Sequence, residues 1–517
     1  MNENYANLYS GGQDNPETMT AENIPVNVLP EVPEIPKYEY HTSERVTAGI
    51  LLLCGFLLVR FGAFHTSGLI TTLIYWIIVT TMTIFFKKEK KEFLLGDKLG
   101  IAVLYIFSAV DTITANGFLK FLNFIFLLMA WNLILLRMAS PHGVLKYLPY
   151  SVNKAVFAQP FAEFNKAFQA IFSGNKSGAF WKNVAYVAIG LVVAVPLTCM
   201  VASLLIEADD NVSNIVGNLI KIPPEELLEM IPQIAVGLLI GAGLFSSVWG
   251  SLHKSTILNQ EECAKKVEGM RIVPNPILYA MVTPICVLYV IYIISQTSYF
   301  LGGFTGQTNG LTYAEYARKG FFELCWICCI NFAVIAGMGL LARISGAVRP
   351  MMQKIYSTFL SGCSIFIAGT AIAKMAMYIH VYGMTQFRIY TTWFMILLVI
   401  GFVGLIIKQF ANDFNLGKMA CIAFTIMFGI LCFSRPDAMI VRYNAEHYLS
   451  GQIQEFDTSV LRGTSDDAWA ELSKYDNDTL YKLVGNSYQS EVRNHTFSDF
   501  YEMTNLSAWE LLNNDWK

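Results

Sequence analysis

The sequence predicts an all-α protein, a polytopic transmembrane helix bundle with a small helical appendage at its carboxyl end. Three observations predict it. Hydrophobic residues make up 54% of the 517-residue chain and charged residues 15%, where soluble domains carry about a quarter charged. Apolar runs near 20 residues recur along the chain, the length that crosses roughly 30 Å of hydrocarbon. Lys and Arg collect in alternate loops, the pattern that orients a multi-pass chain.

Residues 1–44 are acidic and Pro-rich ("IPVNVLPEVPEIPKY"). They cannot bury enough apolar surface to fold alone, and read as an extended, disordered cytoplasmic tail. A first block, 45–136, holds four spans near 46–64, 68–86, 98–114 and 118–136. The third is short and carries Asp111, which is placed with Lys120 at a turn within reach of water. Residues 137–183 form a cytoplasmic segment. In it Phe157, Phe161, Phe164, Phe168 and Phe172 recur at helical spacing. That stripe fits either a helix lying in the membrane interface or one packed on the bundle.

A second block, 184–434, holds seven spans near 184–206, 231–251, 275–295, 320–342, 355–378, 389–407 and 417–434, eleven in all. Gly237, Gly241 and Gly243 form a small-residue pattern suited to close helix packing. Pro196 and Pro284 are expected to kink their helices. The last segment, 435–517, has fourteen Asp and Glu against seven Lys and Arg and no Cys. It reads as an acidic, helical, extracytoplasmic tail that rests on the bundle. Thr464 with Asp467, and Thr496 with Asp499, have capping-box spacing.

The basic loops set the orientation. "KKEKKEFLLGDK" has five Lys, and 137–183, 252–273 and the segment around Arg343, Arg349 and Lys354 are also basic. Between them "HTS" and "TAN" have none, and 207–229 has Lys221 against six acids. With eleven spans every basic loop falls on one side, so the amino terminus is cytoplasmic and the carboxyl terminus outside. The net charge of −3 gives no reason to expect nucleic acid. The partners implied are the lipid bilayer and a solute or an envelope protein.

No catalytic residue, metal site or cofactor is assigned. The Cys325, Cys328 and Cys329 group lies in a span with no second Cys or His pair beside it, which suits packing better than metal or redox chemistry. The seven His are scattered. Charge inside the membrane is the remaining signal, because ionisable groups there usually face the bundle interior and pair. Glu315, Lys319 and Glu323 follow at i, i+4 and i+8, with Arg318 between them. Lys374 lies near the outer end of the ninth span, and Arg388 starts the tenth. Three readings stand for this group: a structural pair between Glu323 and Lys374 or Arg388, a polar vestibule open to the outside, or side chains that snorkel to the surface. Arg442 and Asn444, at the start of the tail, share that side.

The stretches "YAEYARKGFFEL" (313–324), "KMAMYIHVYGMTQFRIY" (374–390) and "RPDAMIVRYNAEHY" (435–448) resemble the multi-pass bacterial membrane proteins of domain of unknown function 4173, related to 4153. The resemblance spans roughly 270–460 and implies a bacterial inner-membrane protein with a many-helix core. It implies no reaction. Lys374 stands where the family more often has Arg, which substitutes a point charge for a two-pronged contact. The leading functional expectation is a non-enzymatic, permease-like transporter with a charged outer vestibule. An envelope sensor or scaffold using the tail is the alternative. A membrane enzyme acting on lipid-linked substrates, with Glu315 as base, is third.

Overall fold

The computed structural model describes residues 38–64, 68–89, 92–140, 144–172, 224–254, 259–304, 321–343, 350–411, 413–493 and 505–513. Residues 1–37 of the expected amino-terminal tail, the span expected at 184–206 with Pro196, the charged stretch with Glu315, Arg318 and Lys319, and Thr496 with Asp499 lie outside the described residues. The chain divides into two units, Met1–Glu39 and Tyr40–Lys517. The contacts that follow all lie within the second.

Nine helices among the described residues are long and apolar enough to cross a membrane. They fall in α1 (Thr42–Leu58, continued as a π-helical stretch to Phe64), α2 (Gly68–Lys88), α5 (Gly117–Ala139), α9 (Pro224–Leu252), α11 (Asn275–Phe304, after the short polar helix α10, Gln260–Gly269), α12 (Phe321–Leu341), α13 (Met351–Tyr382), α14 (Gln386–Phe410) and α15 (Leu416–Phe433). Large apolar side chains such as Leu53, Ile291, Trp326 and Ile430 are exposed on them. Lipid tails are the natural cover for such faces. The protein is a polytopic helical membrane protein.

The third expected span is divided. It consists of α3 (Leu95–Ser108) and a short turn of helix, α4 (Val110–Ile113). At ~1.5 Å per residue, 14 residues reach about 21 Å, short of the hydrocarbon thickness. Asp111 is buried, not water-facing. The Asn123 side chain, one turn into α5, donates to it at 3.3 Å and replaces the water that the sequence reading assumed.

The phenylalanine stripe is divided too. In place of one helix there are α6 (Leu148–Asn153), a π-helical stretch Lys154–Ala158, α7 (Gln159–Ala162) and α8 (Phe164–Phe172). Glu163 leaves the helical region, and Ser246 of α9 holds the break. Its hydroxyl accepts from the Glu163 amide and donates to the Gln159 carbonyl, both at 3.0 Å. Phe164 and Phe168 pack on the bundle while Phe157 and Phe161 stay exposed. The carboxyl end of the stripe thus packs on the bundle, and the amino end does not.

Two apolar cores form inside the membrane part. One joins α1, α2, α3, α5, α8, α9 and α15. The other joins α11, α12, α13 and α14. Helix α14 serves both: Ile389, Tyr390 and Trp393 pack on the first and Met395, Phe402 and Leu405 belong to the second. A close backbone approach joins α1 and α9, where Gly55 faces Gly237 and Gly241. A Cβ built on Gly241 would lie 2.6 Å from the Leu51 carbonyl oxygen and 2.6 Å from Leu52 Cα. These are main-chain atoms that cannot turn aside. Gly243 is different, because its Cβ would meet Pro160 at an ordinary 3.5 Å. Of the three glycines in the pattern, two set the approach.

The carboxyl-terminal appendage comprises α16 (Pro436–Leu449), a 3₁₀ turn (Thr458–Gly463), α17 (Asp466–Leu472), α18 (Asn477–Arg493) and α19 (Leu506–Asn513). Val441, Leu461, Leu472, Leu480 and Leu483 give it a small core of its own. The helix expected after Thr464 is present, but its cap is not the expected box. Ser465 is the N-cap residue, Thr464 donates to the Leu461 carbonyl, and the Asp467 side chain is used elsewhere.

Candidate functional site

The outer charged group of the sequence reading separates into distinct places. Glu323, in the first turn of α12, is exposed and forms no ion pair with a described residue. The dry pair with Lys374 or Arg388 is therefore not what the described residues form at Glu323. The two helix starts do adjoin, since Phe322 meets Phe387 edge to face with centroids 6.5 Å apart. Arg388 donates to the carbonyls of Tyr382 and Gly383 and lies over the Tyr378 ring at 4.3 Å. Asn444 of α16 clamps the same turn: it accepts from the Met384 amide at 2.6 Å and donates to the Met384 carbonyl at 2.9 Å. Gly383 has φ +78°, a conformation that favours glycine. Arg388 and Asn444 thus act together on the α13–α14 turn. Arg442 instead pairs with Glu471 inside the appendage, in two hydrogen bonds of 2.7 and 3.0 Å.

Lys374 is buried within α13. It ends a polar face on that helix. Gln353, Ser357, Ser361 and Ser364 follow at steps of four, four and three residues, and all are buried. Ala368 and Ala371 continue the rhythm to Lys374. Facing this track, Tyr289 of α11 donates to Asn331 of α12 at 2.6 Å. Asn331 donates to the Ser364 hydroxyl at 2.9 Å, and Ser364 donates to the Leu360 carbonyl. The sequence shows Lys374 but not the track, because Ser and Gln in a span are equally at home facing lipid headgroups or neighbouring helices.

A second buried polar group lies beneath the appendage. Asp437, just inside α16, is fully buried. It accepts from Asn116 at the start of α5 (2.9 Å), from Gln386 at the start of α14 (2.6 Å), and from the Ser465 amide and hydroxyl (3.0 and 2.7 Å). Asp467 is also fully buried. It accepts from the Thr114 hydroxyl (2.5 Å), the Ala115 amide (3.1 Å), Arg435 (3.2 Å) and Ser507. Arg435 reaches further, to both carboxylate oxygens of Glu510 at 2.9 and 3.0 Å. Neither aspartate stands out in an acidic tail. Their partners lie 321 and 353 residues away in sequence, a separation that no local pattern reveals.

The appendage carries a pH dependence through Glu471. Burial opposes its charge, but hydrogen bonds from Arg442 and Lys474 outweigh this and hold its carboxyl below the usual carboxylate range. A lowered folded value gives stability that is complete above the unfolded value of about 4.3 and is lost as pH falls through the folded value. Amide exchange across α17, corrected for intrinsic rate, should rise as pH falls below ~4. In Glu471→Gln exchange should be raised at neutral pH and change less with acid. A flat wild-type profile would contradict the assignment.

Among the described residues no group of three or more His, Cys, Asp or Glu could hold a metal ion. Cys328 is buried and donates to the Ser364 carbonyl at 3.7 Å, as a packing residue does. No curated protein and no solved structure matches the chain. A family profile does match, that of domain of unknown function DUF4153, over residues 99–475. The match runs from within α3 to the end of α17 and takes in the second apolar core, the α13 track and both buried aspartates, while α1 and α2 of the first core precede it. Since it covers well over half of the 517 residues, the chain belongs to the DUF4153 family.

Proposed function

We propose that this protein is a non-enzymatic, permease-like transporter in the inner membrane of a bacterium. Its amino terminus is cytoplasmic and its appendage lies outside. The observation that carries the reading is the buried polar face of α13, with Lys374 at one end, inside a bundle of apolar spans. Polar side chains cost free energy in a membrane core and usually line a path or a site. The alternation of Lys and Arg between loops supports the orientation. The kinship with domain of unknown function 4173 and the bacterial origin belong to the same reading and are supported by the three quoted motifs. Glu315, Arg318, Lys319 and Glu323, with Arg388, would line the outer mouth.

The test is reconstitution of the full chain on a solid-supported membrane, with amino acids, sugars and dicarboxylates applied in turn. At least one class should evoke a current, and Lys374→Gln should lower it about a hundredfold, the low end of what one positioned proton-transferring side chain contributes. Absence of current from every class, or an unchanged Lys374→Gln, would overturn the reading. A sensor or scaffold is the second reading, favoured by the hydrogen bonds that Asp437 and Asp467 receive from turns of the membrane part. Under that reading currents are absent and a ligand of the appendage changes exchange at Thr114–Asn116.

A further inference from the structure

We propose that the seam between α11, α12 and α13 holds water and conducts protons across the membrane, with Lys374 as the protonatable relay at one end. This deepens the transport reading and rests on it. The length fits. Gln353 to Lys374 is 21 residues of helix, about 32 Å at ~1.5 Å per residue, the thickness of the hydrocarbon.

The donors form a chain. Tyr289 passes a hydrogen bond to Asn331, Asn331 to Ser364, and Ser364 to the main chain at Leu360. Two further polar groups on the same face have no such protein partner. The Ser361 hydroxyl and the Gln353 side-chain oxygen are both buried and make no hydrogen bond to a described residue. Buried polar groups are nearly always satisfied, by protein or by ordered water. Ser361 lies one turn from Ser357 and from Ser364, so a water there has several polar neighbours, as a bound water needs. These two unsatisfied atoms lie on the track itself.

The chemistry selects the proton. Hydroxyls and water donate and accept through the same oxygen, so a proton entering at one end is handed on as each releases one and takes another, while the Asn331 amide holds Tyr289 and Ser364 in line. No bond to carbon changes and nothing is oxidised or reduced. At Lys374 the amine takes up a proton and the ammonium gives it up on the other side. While charged, that ammonium repels sodium and potassium. The rest of the seam offers neutral oxygens and no carboxylate among the described residues that would bind them strongly.

The experiment uses the full chain in vesicles of phosphatidylethanolamine and phosphatidylglycerol, with a pH dye inside and a potassium diffusion potential as driving force. Internal pH should fall several times faster than in protein-free vesicles. Lys374→Met and Asn331→Leu should bring the rate down to that background. Ser361→Ala should slow it about tenfold, the effect of one lost hydrogen-bonding group, and Ser361→Thr should retain most of it. Glu262→Gln, on an exposed ion pair outside the seam, should behave as wild type. Thermal melts identify any variant that fails to fold, and only folded variants are compared. Wild-type rates at background, or folded seam variants that conduct as wild type does, overturn the proposal. Solute-evoked currents with the proton signal at background would overturn it and leave the transport reading standing. Loss of both signals would overturn both.

Discussion

Gly241→Ala lowers the melting temperature of the detergent-solubilised protein, and Gly241→Leu leaves no folded protein to purify. The reason is the contact between α1 and α9. Helices in a membrane gain little from apolar burial against one another, so close backbone approach and van der Waals packing hold them together. At this crossing the first atom of any side chain on Gly241 would overlap the main chain of Leu51 and Leu52. A side chain neighbour could rotate away, but the backbone of α1 moves only if the whole helix shifts. Overpacking of this kind costs about 3 kcal/mol or more, and a leucine exceeds what the pair can accommodate. Gly243→Ala is the matched control and should melt within a few degrees of wild type, because its Cβ meets Pro160 at ordinary distance. Equal loss at Gly241 and Gly243 would show that the crossing is not the cause.

Arg435→Ala loosens α17 and α19 of the appendage. Its guanidinium is shared by Asp467, Ser507 and Glu510, and its removal leaves Asp467 charged and fully buried with neutral donors alone. Breaking one partner of a buried ion pair costs roughly 3–5 kcal/mol. Amide exchange over α17 and α19 should rise sharply, while exchange over α5 and α9 should change little. Arg435→Lys should rescue poorly, since a single ammonium cannot span three acceptors as a planar fork does. The backbone sharpens the test. Arg435 sits at φ 48° and ψ 71°, a left-handed conformation that costs a non-glycine residue about 1 kcal/mol or more. Arg435→Gly removes the same contacts but relieves that strain, so it should be less disruptive than Arg435→Ala. Unchanged exchange in both would mean that the third core and the remaining aspartate contacts hold α17 and α19 without Arg435.

The membrane architecture is legible in the sequence because hydrocarbon thickness fixes both the length and the composition of a span. Helices α1, α2, α5 and α12 to α15 fall where the apolar runs place them, with ends shifted by a few residues, and α11 starts where expected but runs on to Phe304. The third span is where the rule weakens, since α3 and α4 are separated by Ala109 and Asp111 finds an amide partner in place of water. Gly241 is visible as a small residue in a pattern, but its role depends on which helix faces it. Lys374 announces itself because a lysine inside a span is rare. Asp437 and Asp467 do not, since fourteen acids share the tail and burial distinguishes these two only after the chain has folded back on the turn before α5.

Asp437 receives hydrogen bonds from the first residues of α5 and of α14 together with the appendage. One carboxylate therefore ties a helix of the first apolar core to one of the second at this end of the bundle. If the two cores rock against each other, this junction is the fulcrum. Displacement then grows with distance along the helices, and the widest opening falls at the opposite face, beside Lys408 and the start of α15.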